Sequence, residues 1–210
     1  RAGAQNTIVC LCGLVGSVSG VGATLFDRVV AQPMNANLIV IRDKQLLYFF
    51  DGVLSLGSLD ETLSKLKAIL SGDGFSNTKI IFNGSSGGAA GAILYAARLN
   101  VRHVLVFAGR MIFDESFDAR LPKRPRSGPL VKKFQNGDLQ RPNLIQVIEK
   151  SNIERIDYFV GSASKDDMEQ FQFLEKNTNV VVPCIYKGRE MHAMAAPSLI
   201  DGEFVRRLRC

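Results

Sequence analysis

Residues 79–99 read KIIFNGSSGGAAGAILYAARL, and no other stretch so narrows the folds open to this chain. The apolar run Ile80–Phe82 meets a glycine-rich turn, Gly84-Ser85-Ser86-Gly87-Gly88, and a helix of small residues is expected over Ala89–Leu99. Strand, sharp turn and helix form the setting of the G-x-S-x-G elbow, and Gly84, Ser86 and Gly88 have its spacing. Residues without Cβ let strand and helix approach closely, while the serine sits on a strained turn with its Oγ clear of the sheet. The helix start adds backbone N–H groups and a positive dipole end, where an oxyanion is stabilised. A glycine-rich β–α turn or an anion nest meets the same description, so the remaining chain has to decide.

Around this unit, apolar runs alternate with helical patterns. Strands are expected at Thr7–Gly13, Asn37–Arg42, Val104–Phe107, Ile156–Val160 and Val180–Ile185, the last bearing Pro183, which suits a sheet edge. Leu46–Phe50 reads as a hairpin extension or a short insertion. Helices are expected at Ala23–Ala31 (Leu25, Val29 and Val30 inward), Leu59–Leu70, Pro142–Lys150, Asp167–Lys176 and Gly202–Leu208. Ser58 and Glu61 make a capping box before the second of these, with Leu63, Leu66, Ile69 and Leu70 as its apolar face. Phe171, Phe173 and Leu174 read as the buried side of the fourth. Wholly apolar strands alternating with helices imply an α/β fold: a mostly parallel sheet of about six strands, helices on both faces. Residues 1–210 read as a single domain, with 108–140 irregular and a basic, lid-like insertion around 109–140.

The net charge is +6, and much of the excess lies in Arg120, Lys123, Arg124, Arg126, Lys132 and Lys133. That segment reads either as a short lid that attracts an anionic substrate or as a solvated loop. Without a basic stripe interleaved with aromatics, and with no tryptophan, nucleic acid is not the expected partner. No apolar run approaches the roughly 20 residues that span a bilayer. The four cysteines, Cys10, Cys12, Cys184 and Cys210, form no C-x-x-C pair. Reduced thiols, a cytoplasmic setting and no bound metal are therefore expected. The chain opens on Arg1 without a signal-peptide pattern, and is expected to be a processed form or part of a longer protein.

In open parallel sheets, sites lie beyond the carboxyl ends of the strands. Ser86 follows the third strand, Asp166 and Asp167 the fifth, and His192 the sixth. His103, the other histidine, opens the fourth strand, well over 10 Å from that rim at about 3.3 Å per residue, and reads as structural or surface. His192 is the candidate base, Asp167 the first choice of acid and Asp166 the second, although an aspartate there is also a common helix cap. Oxyanion donors are expected at the Gly87 N–H and in the loop after the first strand, at Leu14 or Val15. Val15 and Arg110, in the loops after strands one and four, are the candidate substrate contacts. Asp43 could serve the site but reads as a turn aspartate.

From Thr7 onward the chain resembles the α/β-hydrolase superfamily: G-S-S-G-G after an apolar strand, an acid after the next-but-one strand, and a late histidine. Asn37–Val53 (NLIVIRDKQLLYFFDGV) also resembles small bacterial hydrolases found beside polysaccharide-synthesis genes. The resemblance implies Ser86 as nucleophile, Asp167 as acid, His192 as base, and Gly87 and Leu14 as oxyanion donors. It departs from the family in reading Cys12-Gly13 for the usual His-Gly, in lacking the two opening strands, and in a longer spacing from Gly161 to the aspartates. No full cap domain fits the length. The implied function is a cofactor-free serine hydrolase acting on an ester or thioester, on a small-molecule or glycan acyl substrate. The rival is a non-catalytic binding module whose open sheet edge pairs with another subunit or domain. A phosphate-binding α/β protein is the third reading, and the missing P-loop lysine weighs against it.

Overall fold

A computed structural model describes residues 1–18, 20–119, 125–189 and 195–209. Six strands form one sheet in the order β2-β1-β3-β4-β5-β6, and every neighbouring pair is parallel. In chain order they are β1 (Asn6–Leu11), β2 (Asn37–Ile41), β3 (Lys79–Ser85), β4 (His103–Phe107), β5 (Arg155–Gly161) and β6 (Val181–Tyr186). The helices are α1 (Ala23–Phe26), α2 (Leu59–Leu70), α3 (Gly87–Arg98), α4 (Glu115–Ala119), α5 (Gly128–Gln135), α6 (Leu144–Glu149), α7 (Lys165–Asn177), α8 (Ala195–Ile200) and α9 (Glu203–Arg209). Successive strand side chains point to opposite faces, and both faces are filled. Val9, Leu11, Phe82, Val104, Val106, Ile156, Tyr158 and Val160 join one cluster, with buried residues of α2, α3, α6 and α7. Ile8, Cys10, Ile81, Leu105, Phe107 and Phe159 join the other, with Phe26, Val30, Phe204 and Leu208. Burial on both sides is why the inner strands β1, β3, β4 and β5 read as mostly apolar runs, while the edge strands β2 and β6 are only partly buried.

The structure corrects several expectations. Ala23–Ala31 begins as α1 but continues as one π-helical turn, Asp27–Ala31. The wider turn rotates the inward face to Phe26, Val30 and Ala31, leaving Leu25 and Val29 largely exposed. In α2 the capping box forms, but Thr62 rather than Ile69 completes the buried face. Of the two readings of Leu46–Phe50, the short insertion is the one found: the segment is built of turns, with no strand. The stretch 108–140, expected to be irregular, contains α4, a 3₁₀ turn Pro125–Ser127 and α5. These short helices carry Phe117, Leu130, Val131 and Phe134, and the loop before α4 carries Phe113, into the cluster that holds the strand residues. Cys10 is a buried thiol that accepts from Asn83 Nδ2 at 3.3 Å, and burial pushes its pKa up to about 12, so it behaves as a small apolar group.

His103 lies at the amino end of β4, opposite Ile81, while Ser85 at the carboxyl end of β3 pairs with Phe107. It is buried rather than at the surface, with Nε2 2.7 Å from Asp157 Oδ2. Asp157 also accepts from Arg155 Nε and NH2 at 2.8 and 2.9 Å, and from Arg207 NH1 at 2.8 Å, which ties α9 to β5.

Candidate active site

Chain direction across the sheet reverses between β1 and β3: β1 connects toward β2 on one side, and β3 continues toward β4 on the other. A crevice opens at such a switch point, beyond the strands' carboxyl ends. The loop after β1 and the turn after β3 meet there. A Cβ at Gly13 would lie 3.2 Å from the Ser85 carbonyl oxygen and 3.5 Å from Ser86 Cβ.

Ser86 is the N-cap of α3 and has φ 51° and ψ −118°, a region that residues with a Cβ seldom occupy. Such a conformation costs about 1–3 kcal/mol and persists where the surroundings enforce it. The Ser86 N–H donates to the Phe107 carbonyl at 2.9 Å, and its carbonyl accepts from the Arg110 N–H at 3.4 Å. The glycines on either side permit the turn by close approach. A Cβ at Gly88 would collide with the Leu11 carbonyl oxygen and lie 2.6 Å from that of Cys12, while one at Gly84 would lie 2.7 Å from Ala92 Cβ. Residues Gly87–Ala96 of α3 are all buried, so the helix N-terminus is drawn in against the sheet.

The Gly87 and Leu14 N–H groups donate to no protein acceptor among the described residues. The Leu14 side chain covers Gly87, with Cγ 2.9 Å from where its Cβ would sit. Val15 is 68% exposed. Arg110 is buried, its guanidinium 5.7 Å from the Phe117 ring centroid.

The two aspartates differ in their surroundings. Neither caps α7: the N-cap is Ser164, and both lie in the first turn. Asp166 is exposed, whereas Asp167 is 4% exposed and its Oδ2 accepts from Ser164 Oγ at 2.7 Å. Tyr158 on β5 senses this region. Burial pushes its phenol up, the Asp167 carboxylate pushes the same way, and the Gly109 carbonyl it donates to, with the Arg110 guanidinium, opposes them. One strand, β4, lies between β3, which leads into Ser86, and β5, which leads toward Asp167. His192 lies outside the described residues, as do Arg120, Lys123, Arg124 and Cys210. Among the described members of the basic segment, Lys133 Nζ pairs with Asp51 Oδ2 at 3.3 Å. No group of His, Cys, Asp and Glu suited to a metal ion occurs among the described residues, nor does any helix long and apolar enough to cross a membrane.

The loop after β2 lies against α3. Asp43 is indeed a turn aspartate, but an unusual one: Oδ1 accepts from the Gln45 N–H at 2.9 Å, and Oδ2 from the Leu47 and Phe49 N–H groups at 2.6 and 3.1 Å. Leu46, Tyr48 and Phe49 all have positive φ, at 59°, 58° and 67°. Each costs about 1–2 kcal/mol without a glycine, which the charged acceptor helps to offset. The ring of Tyr48 reaches Gly87, with Cε1 3.2 Å from the position a Cβ would take. No sequence signal marks a Leu, Tyr or Phe for left-handed backbone.

No family model and no curated protein matches the chain. Solved structures do resemble it. The capsule O-acetyltransferase of Neisseria meningitidis serogroup A superposes over 100% of this chain and 89% of its own, with a TM-score of 0.69 at 14% identity; a variant of that protein was solved in complex with CoA. A structure from work on carboxylesterases of the thaumarchaeon Nitrososphaera gargenis covers 100% of this chain and 91% of its own, with a TM-score of 0.65 at 12% identity. A protein of Xanthomonas campestris, described as a putative hydrolase of the alpha/beta superfamily, covers 98% of each chain, with a TM-score of 0.55 at 12% identity. Strand order, all-parallel pairing and these superpositions agree: this chain has the α/β-hydrolase fold.

Proposed function

We propose that the protein is a serine-dependent acyl hydrolase, acting on a carboxylic ester or thioester through an acyl-enzyme. The observation that carries this reading is the strained backbone of Ser86, held between β3 and the N-terminus of α3 at the sheet's switch point. Ser86 Oγ attacks the acyl carbonyl while His192 takes its proton. The tetrahedral oxyanion is met by the Gly87 and Leu14 N–H groups. The carbon–oxygen or carbon–sulfur bond breaks, the alcohol or thiol leaves with the proton from His192, and the acyl group stays on Ser86. Water, deprotonated by the same histidine, then releases the carboxylic acid. Asp167 is the acid that orients the imidazole, favoured over Asp166 by its burial. Val15 and Arg110, in the loops after β1 and β4, are assigned as the substrate contacts. The residues assigned here need no metal or organic cofactor.

A second reading changes only the acceptor: a hydroxyl group, as on a glycan, takes the acyl group in place of water. It is favoured by the likeness to a capsule O-acetyltransferase over the whole of this chain.

The test is labelling with a fluorophosphonate and turnover of p-nitrophenyl acetate, by the wild type and by Ser86→Ala. Labelling is expected to vanish, and turnover to fall by at least about a thousandfold. Equal labelling and turnover by the folded variant would refute the reading. Adding sugar alcohols to the assay separates hydrolysis from transfer, since transfer yields the acylated sugar.

A further inference from the structure

We propose that Asp43 is a positioning residue for the Ser86 site, although among the described residues its carboxylate accepts only from the backbone N–H groups of its own loop. The inference rests on the reading of Ser86 as nucleophile. Asp43 is 9% exposed and gathers the N–H groups of Gln45, Leu47 and Phe49 onto one carboxylate. Those three bonds hold the chain through left-handed turns at Leu46, Tyr48 and Phe49. The consequence falls on α3. Tyr48 packs on Gly87, and the Tyr48 carbonyl oxygen and Phe49 Cβ each lie 2.9 Å from where a Cβ at Gly91 would sit. One turn further on, the Phe49 ring meets Tyr95 edge-on at 6.1 Å, and the Tyr95 hydroxyl donates to the Phe49 carbonyl at 3.2 Å.

Gly87, Gly91 and Tyr95 are spaced by four and therefore lie on one helix face. The Asp43 loop thus braces the face of α3 that begins at the N–H nearest the nucleophile. Tyr48 also ties the brace to the insertion. Its hydroxyl lies 2.9 Å from that of buried Ser127, and its ring meets Phe113 and Phe117 edge-on at 5.7 and 6.0 Å. Leu14 covers Gly87 as well. The Gly87 peptide is therefore fixed by packing from two loops. An oxyanion donor stabilises charge only while it stays aimed, and displacement by about 1 Å costs about a hundredfold in rate.

Asp43→Asn keeps the size of the side chain but turns one acceptor into a donor facing backbone N–H groups. Its kcat on p-nitrophenyl acetate is expected to fall about 10- to 100-fold, with KM within about threefold of wild type. The rate of fluorophosphonate labelling at Ser86 should fall in parallel. Both are measured well below the melting temperature, on protein whose far-ultraviolet circular dichroism matches wild type. A lowered melting temperature with unchanged kcat per folded molecule means a merely structural role and overturns the proposal. If Asp43→Asn does not fold, Tyr48→Leu, which removes the ring from Gly87, decides by the same criterion. Ser86→Ala run alongside separates the two ideas. Wild-type turnover there sinks the nucleophile and this inference together; a dead Ser86→Ala beside a fully active Asp43→Asn sinks only the positioning role.

Discussion

Asp157 is the natural place to probe what holds the fold apart from what performs the chemistry. Its side chain is fully buried and faces three cationic or potentially cationic partners, with Arg155 31% exposed and Arg207 16%. Burial alone would push its carboxyl up; the hydrogen bonds and charges of His103 and Arg155 more than offset this and hold it below the usual carboxylate range. In Asp157→Asn, His103 and Arg155 lose this anion, while Arg207 keeps Glu203 Oε1 at 2.5 Å. Breaking a buried pair by removing one member costs about 3–5 kcal/mol, and the partial exposure of both arginines puts this case at the low end, about 3 kcal/mol. For a chain of this size about 2–4 °C is lost per kcal/mol, so the melting temperature should drop by about 6–12 °C at pH 7 in scanning calorimetry. The pH dependence has a definite sign. A folded carboxyl that titrates below its unfolded value, about 3.9, leaves the folded state with fewer bound protons. Its stabilisation is therefore complete above that value and disappears as pH falls through the folded one. The gap between wild type and Asp157→Asn should close below about pH 4. Because β4 takes its five residues from His103 to Phe107 over about 13 Å, ester turnover at 20 °C should stay within about twofold of wild type. A melting shift under 2 °C, or a gap that persists unchanged at pH 2, would refute the reasoning.

Two more substitutions test the rim. Gly88→Ala places a methyl group into the Leu11 carbonyl and 2.6 Å from the Cys12 carbonyl oxygen; it should cost about 3 kcal/mol or more in urea unfolding, or yield no soluble protein. Asp167→Asn should lower kcat for the acetate ester by about a thousandfold or more, whereas exposed Asp166→Asn should change it by less than about threefold; the reverse order would exchange their roles.

The sheet was legible because its physics leaves a one-dimensional trace. A strand covered on both faces is apolar at most positions, with polar exceptions such as Asp157 held by buried His103, and the runs stand out against polar loops. Failures came where burial depends on distant partners or on a local change of period. Nothing between Ala23 and Ala31 announces the π turn that exposes Leu25 and Val29. Helices α4 and α5 are five and eight residues long, too short to be stable alone. They form because Phe117 and Phe134 stack into an aromatic group with Tyr48, Phe50 and Phe113, whose members are far apart in sequence.

The candidate site shows the same division. Ser86 could be placed from the sequence because its neighbours must lack Cβ, and glycine is visible in one dimension. Asp166 and Asp167 could not be separated, since adjacent positions on a helix differ only in which way they face. Only the packing against β5 distinguishes the buried carboxylate from the exposed one. Asp43 was visible as a turn residue, yet its reach was not: a carboxylate that accepts locally, within six residues of chain, acts on a helix more than forty positions later. A nucleophile held in a strained backbone needs bracing from outside its own turn, because a strand and a helix alone would relax it. In this chain the loops after β1 and β2 both close on Gly87, so the search for residues that tune such a site belongs in those flanking loops as much as in the glycine-rich turn itself.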